Sequence, residues 1–115
     1  MFAKHNRLGK TTDIQLTFAR GRSFFNPFFT IRLLRKSAGA SRFTIVVSTK
    51  VSKRAVRRNR LRRLIREVIK QRMTHLPIGD YIIILKPAIT KISEEQMVRE
   101  FKNFIAEKIE HAKNS

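Results

Sequence analysis

The sequence predicts an α+β fold, a two-layer α/β sandwich in which about four strands form a small mixed sheet and three helices pack on it, in the order αβββαβα. Three observations carry that reading. Two segments alternate apolar and other residues at the strand period, a third is a short apolar run, and three further segments carry apolar stripes at the helical period. At 115 residues, 42% of them hydrophobic, the chain suits one domain over 1–115 with its own core.

The elements follow in chain order. Residues 1–10 are basic and without period, and are read as a mobile arm. Thr12-Asp13-Ile14-Gln15 has the form of a capping box, Ile14 and Phe18 share a face, and Gly21 suits a C-terminal cap. A short helix over about residues 12 to 20 follows. Ser23 to Phe25 is a candidate edge strand. Beyond Pro27, Phe29, Ile31 and Leu33 alternate with Phe28, Thr30 and Arg32, and after the loop Lys36 to Ser41 the alternation resumes at Phe43, Ile45 and Val47. These two strands are expected to pair as a hairpin.

The stretch Lys50 to Arg72 places Leu61, Leu64, Ile65, Val68 and Ile69 in one helical sector and basic residues across the rest. Arg54 and Arg57 project on the apolar side and are placed at the first turn, beyond the core's edge. The helix ends near Thr74, before Pro77 and Gly79. Asp80 to Lys86, with the run Tyr-Ile-Ile-Ile-Leu, is a buried-type strand stopped by Pro87. Ser93-Glu94-Glu95-Gln96 forms a second capping box, opening a helix over about residues 93 to 111 on Met97, Phe101, Phe104, Ile105 and Ile109. Residues 112–115 are a tail.

Charge is divided along the chain. Residues 1–72 hold 20 basic and 2 acidic side chains, and residues 73–115 hold 6 of each, so the whole net charge of +18 lies in the first part. Eleven of the 26 Lys and Arg residues fall between Lys50 and Arg72, with Glu67 the one acid there. Solvated helix faces normally mix signs at i, i+4. Arginines in a first turn also oppose the helix dipole, each by roughly 0.3–1 kcal/mol at low salt, and a phosphate brought there reverses the sign. Arg outnumbers Lys in this segment eight to three, which suits bidentate phosphate contacts and stacking. The pattern points to a polyanionic partner.

Catalytic signatures are missing. His5, His75 and His111 have no metal-ligand spacing, and GxxxxGK[ST], GxSxG and HExxH do not occur. Five of the eight acids fall in the last helix, spaced as on a solvent face. The absence of Cys excludes disulfides and thiolate metal sites and fits a reducing compartment. The N-terminus lacks the apolar region of a secretory signal, and the longest apolar run is far short of the roughly 20 residues that span a bilayer, so a cytoplasmic protein without a membrane partner is expected. Phe18, Phe28 and Phe29 are candidates for base stacking or for core, with Phe29 favoured as core and Phe18 open.

The segment Lys50-Val-Ser-Lys-Arg-Ala-Val-Arg-Arg-Asn-Arg60-Leu-Arg-Arg-Leu-Ile-Arg-Glu67 closely resembles the arginine-asparagine-arginine signature of the bacterial ribonuclease P protein subunit. Asn6-Arg7-Leu8, Asp13 with Phe18, Gly21-Arg22-Ser23, the strand Phe43 to Ser48 and Asp80 to Ile84 extend the resemblance over roughly residues 5 to 110. It implies the protein subunit of a ribonucleoprotein endonuclease that removes the 5′ leader of precursor tRNA. The catalyst would be the RNA with magnesium, held mainly by RNA, and the chain alone would bind no cofactor. Partners would be the catalytic RNA and precursor tRNA, with one monomeric protein per catalytic RNA. The fold would contain a left-handed βαβ crossover built on the basic helix.

By the same resemblance, Lys53, Arg54, Arg57, Arg58, Asn59, Arg60 and Arg63 would meet the catalytic RNA, and Arg7 would add a contact from the arm. Ile14, Phe18, Thr30, Arg32, Arg62 and Arg66 would line a cleft for the single-stranded leader. Ile14 and Arg32 depart from the family's usual side chains, which shifts the cleft from stacking toward electrostatics. The alternative is a general or ribosomal RNA-binding protein. A DNA-binding regulator would need a helix-turn-helix partner or dimer seam, which the sequence does not show. A membrane-surface helix would take Leu64, Ile65 and Val68 away from the core. The RNA that co-purifies discriminates among these readings.

Overall fold

The computed structural model describes residues 3–110. Its elements are α1 (Thr11–Arg20), β1 (Arg22–Phe25), β2 (Phe29–Arg35), β3 (Arg42–Val46), α2 (Ala55–Arg72), β4 (Gly79–Leu85) and α3 (Glu94–Phe104). Short 3-10 turns precede α1, follow α2 and precede α3, and a π-helical turn, Ile105–Glu110, continues α3. The helix expected to run to residue 111 therefore changes its winding after Phe104; His111 and the tail 112–115 lie outside the described residues.

The four strands form one mixed sheet in the order β1-β2-β4-β3. β1 pairs antiparallel with β2, β2 antiparallel with β4, and β3 parallel with β4. The expected hairpin of β2 with β3 is thus corrected: β4 lies between them. The reason is burial. β4 is apolar on both faces and nearly all of it is buried, as a central strand requires. β2 and β3 alternate and suit its flanks. The hairpin present is β1 with β2, closed by Asn26, whose Oδ1 accepts from the backbone N–H of Phe28 at 2.9 Å and Phe29 at 2.8 Å. α2 is the crossover that joins the parallel neighbours β3 and β4.

One face of the sheet meets α2 and α3 over a contiguous core that includes Phe29, Ile31, Phe43, Ile65, Tyr81 and Phe101. Phe29, fully buried, meets Phe101 edge-on at 5.0 Å and stacks on Phe104 at 6.1 Å. Burying a ring of this size stabilises by about 1.5–3 kcal/mol, which is why the phenylalanines of β2 and α3 set the sandwich. On the opposite face α1 crosses β2 and β4, burying Thr17 and Ile82 completely. The main two layers therefore carry a third, single-helix cover.

α1 starts one residue earlier than expected, and its N-cap is Lys10 with no side-chain cap, so the Thr12 capping box is not used. Asp13 instead reaches across the sheet to Arg42. At the other end Gly21 has φ −71°, so its value is not a left-handed turn. A Cβ there would lie 2.4 Å from the Thr17 carbonyl oxygen and 3.2 Å from that of Leu33, and only glycine lets helix and strand approach this closely. The N-terminal segment is docked rather than an unpacked arm: Leu8 is buried, its N–H donates to the Phe43 carbonyl at 2.9 Å, and Asn6 donates to the Ser41 carbonyl.

Candidate nucleic-acid interface

β3 is an edge strand, and an edge exposes carbonyls that need partners. Arg7 bridges to Phe43, and Arg62 from α2 donates to the carbonyls of Ile45 at 3.3 Å and Val47 at 3.4 Å. Arg62 also donates to Asn59 Oδ1 at 2.7 Å. Closing the sheet edge in this way draws Arg7, Arg62, Arg63 and Arg66 together. Burial, then Arg7, Arg62 and Arg63, push the Arg66 guanidinium below its usual pKa. Among the described residues no carboxylate forms an ion pair with any of the four. Arg66 lines an open pocket with Arg7, Leu8, Gly9, Phe43, Thr44 and Ile45, so the like charges converge on a concavity.

The exposed side of α2 continues this field. Lys53, Arg54 and Arg63 are exposed, and Arg58 donates to the Ser52 carbonyl at 3.0 Å. No acid stands in the first turn of α2 and no side chain caps it. The other flank is neutralised. Glu94 takes Arg60 at 2.8 Å and Arg57 at 3.4 Å, and the Arg60 hydrogen bond holds the Glu94 carboxyl below its usual range despite some burial. Glu110 takes Arg72 at 2.7 Å. Sequence reading set the acids of α3 on a solvent face; two of them instead tie α3 and its extension to α2. Arg54 and Arg57 do lie at the helix start, where Arg57 borders a small pocket over Leu61 and Met97.

A second site lies on the α1 side of the sheet. The strand register sets Phe25, Thr30, Ile84 and Val46 in one row across the four strands, pointing away from the core. Ile82 in the next row is buried under α1, whereas in this row Phe25 and Val46 are exposed and Thr30 and Ile84 half-buried. Ile14, half-buried, and Phe18, 44% exposed, stand beside it on α1. Phe18, the open case in the sequence, is thus at the surface, while Phe29 is core and Phe28 packs against the core. The row and α1 form a cleft with an aromatic wall, a half-apolar floor and arginines at its β3 end.

Ile14 and Phe18 on α1 and Thr30 on β2 lie on this side of the sheet, and Arg66 lines the pocket with Thr44 at the β3 edge. Arg32 and Arg62 have other work. Arg32 donates through Nη2 to the carbonyls of Phe18 and Gly21, the latter at 3.1 Å, and its guanidinium lies 6.0 Å from the Phe18 ring. It closes the C-terminal end of α1. Phe25, Val46, Ile84 and Lys86 also belong to the cleft and were not singled out in the sequence. Their alternation is legible, but which rows α1 leaves open is not.

Asp80 and Asp13 are structural carboxylates. Asp80, buried, takes Arg42 at 2.7 Å and Lys36 at 2.9 Å, and Arg42 also reaches Asp13 at 3.1 Å. Burial alone would raise the Asp80 pKa, but the hydrogen bonds from Arg42 and Lys36 outweigh it and hold the carboxyl below its ordinary value. Among the described residues no three His, Asp or Glu side chains converge as a metal cage, and no helix is long and apolar enough to cross a membrane. His5 and His75 are exposed in 3-10 turns.

A family model described as Ribonuclease P matches residues 2–109. A ribonuclease P protein component of Microcystis aeruginosa is 36% identical over 105 residues, covering 87% of this chain and 88% of the relative. One of Thermotoga maritima is 34% identical over 94 residues, covering 82% and 78%. The solved RNase P protein of Staphylococcus aureus superposes with a TM-score of 0.77 at 28% identity, over 90% of this chain and 92% of that one. The RNase P protein structure from Thermotoga maritima gives 0.73 at 27% identity, over 84% and 92%.

Proposed function

The chain belongs to the ribonuclease P protein family, and from that premise we propose that it binds the catalytic RNA of ribonuclease P and holds the 5′ leader of precursor tRNA during leader removal. The observation that carries this reading is the juxtaposition of two surfaces. A cluster of Arg7, Arg62, Arg63 and Arg66, none of them ion-paired among the described residues, stands at the β3 end of a cleft whose wall is Phe18. Structured RNA suits the α2 side of that cluster, Arg63 with the exposed Lys53 and Arg54, because a dense phosphate array relieves the repulsion among these cations. Single-stranded RNA suits the cleft, because bases stack on an exposed ring while the backbone follows basic groups.

Each group has a stated part. Lys53, Arg54, Arg58 and Arg63 meet phosphates of the catalytic RNA, joined by Arg57, Arg60 and Asn59 where the RNA competes with Glu94 and Arg62 for them. Arg7 and Arg66 draw the leader into the cleft mouth, and Ile14, Phe18 and Thr30 receive its bases. Arg62 and Arg32 hold the walls in place. Asp13, Asp80, Glu94 and Glu110 are engaged with arginines and lysine, and magnesium belongs with the RNA on this reading.

Reconstitution tests it. Protein with its cognate catalytic RNA and magnesium is expected to release the 5′ leader of precursor tRNA, binding it more tightly than mature tRNA. RNA-free protein is expected to leave the precursor intact. Specific 5′ cleavage by protein alone, or tighter binding to ribosomal RNA than to the catalytic RNA, overturns the reading.

A further inference from the structure

We propose that Phe25 and Lys86 form a second stacking platform, which takes a base of the single-stranded leader farther upstream than the base on Phe18. The proposal rests on the reading that the leader lies in the α1 cleft, and it extends that site to the opposite edge of the sheet.

Phe25 is 69% exposed. A ring so far in water at the end of a strand gives up burial that its neighbour Phe24 obtains on the other face of the same strand. Its surroundings are rigid. Asn26 Oδ1 closes the turn on the N–H groups of Phe28 and Phe29, and Asn26 N–H donates to the Phe29 carbonyl at 3.0 Å. The Lys86 N–H donates to the Phe28 carbonyl at 2.9 Å, and its ammonium to the Asn26 carbonyl at 2.7 Å. That ammonium also lies 5.5 Å from the Phe25 ring centroid. The hairpin therefore presents a ring with a cation beside it, held by backbone bonds rather than loose at a loop tip. An aromatic surface next to a positive charge is what single-stranded nucleic acid requires, a stacking face for the base and a partner for its phosphate.

The register makes this platform continuous with the cleft. Phe25 opposes Thr30, Thr30 opposes Ile84 and Ile84 opposes Val46. Three strand spacings separate Val46 from Phe25, about 14 Å, which is about four nucleotides at the stacked spacing. α1 crosses the same face over the neighbouring rows, from Asp13 beside Arg42 on β3 to Phe18 and Gly21 beside Arg32 on β2. Phe25 lies on β1, one strand beyond Arg32, the residue that Phe18 meets. Between Asp13 and Glu67 the chain has no acid, so nothing on β1, β2 or β3 repels a phosphate. α2, the surface for the catalytic RNA, packs at the β3 edge, so a leader enters there and reaches β1 last.

A graded series of leaders decides the matter. Holoenzyme reconstituted with the cognate catalytic RNA is titrated with precursor tRNAs whose leaders grow one nucleotide at a time. With Phe18→Ala, the loss of affinity is expected to begin at a short leader. With Phe25→Ala, it is expected to begin only at a longer one and to reach roughly 5- to 150-fold. Phe25→Trp is expected to retain affinity and Phe25→Leu to lose it, because stacking needs a ring and an apolar contact does not. All Phe25 variants are expected to keep the thermal midpoint, since the ring is exposed. If Phe25→Ala costs nothing at any length while Phe18→Ala costs affinity, or if the Phe25 effect begins at the same or a shorter leader, the platform is overturned and the cleft stands. If neither variant acts at any length, the leader lies elsewhere and both readings fall.

Discussion

Replacing Arg32 by Met separates a structural guanidinium from a phosphate-binding one. In the sequence, Arg32 is a candidate leader contact, and an arginine on one single-strand phosphate adds about 0.7 to the slope of log affinity against log salt. In the structure its Nη2 is given to the Phe18 and Gly21 carbonyls, which the end of α1 otherwise leaves unpaired. A hydrogen bond to a charged group contributes about 1.5–3 kcal/mol, and less where water reaches it, as at Phe18. The buried Arg32 Nε has no partner, a cost of about 1–3 kcal/mol that Met removes. Met keeps most of the packing of the stem. The balance is a net loss of about 1–2 kcal/mol. For a chain of this size that lowers the thermal midpoint by roughly 5–10 °C. Urea and thermal unfolding measure the first quantity, and precursor tRNA binding across a salt series measures the second. The expected pair is a lower midpoint with an unchanged salt slope. An unchanged midpoint with a slope flattened by about 0.7 refutes the assignment and returns Arg32 to the leader.

Lys53→Ala combined with Arg63→Ala is expected to weaken binding to the catalytic RNA and to flatten its salt slope by about 1.8, if each side chain meets one duplex phosphate. Both residues are exposed, so unfolding in urea should change by less than about 0.5 kcal/mol. Asp80→Asn removes the negative charge and one of the two acceptor oxygens that Arg42 and Lys36 share, and is expected to cost about 2–4 kcal/mol, below the upper range for a buried pair because both partners reach water. The Asp80 carboxyl is held below its usual pKa, so its contribution is complete above about pH 4 and is lost as pH falls below that. A pH series of unfolding midpoints should therefore show the variant's deficit shrinking on the acid side. A deficit that is flat through pH 3, or largest there, contradicts the pairing.

The apolar periods of α2 and α3 were legible because a helix must turn a stripe to the core, and Leu61, Ile65, Val68 and Phe101 are indeed buried. The Ser93 cap was legible for a local reason, its side chain reaching Gln96 three residues on at 3.0 Å. Thr12 has the same local pattern and fails, because α1 begins a residue earlier and Asp13 is drawn to Arg42 on β3. The strand order was not legible either. Alternation says which residues share a face, but the insertion of β4 between β2 and β3 depends on which strand buries both faces, a property of the assembled layers.

By itself the sequence determined the charge asymmetry, the helical stripe under the arginines, the signature of Arg58-Asn59-Arg60 and hence the family. These are properties of composition and local spacing, which a chain carries before it folds. Only the tertiary structure decided how the cations are used. Arg57 and Arg60 meet Glu94, Arg72 meets Glu110, Arg62 closes the edge of β3, Arg32 closes α1, and Arg66 stays in a like-charged cluster at the mouth of the cleft. The physical reason is range. An arginine's partner lies across a layer or a sheet edge, tens of residues away in sequence, and the choice between a carboxylate, a carbonyl and a bound phosphate is made by which of them the fold brings within reach.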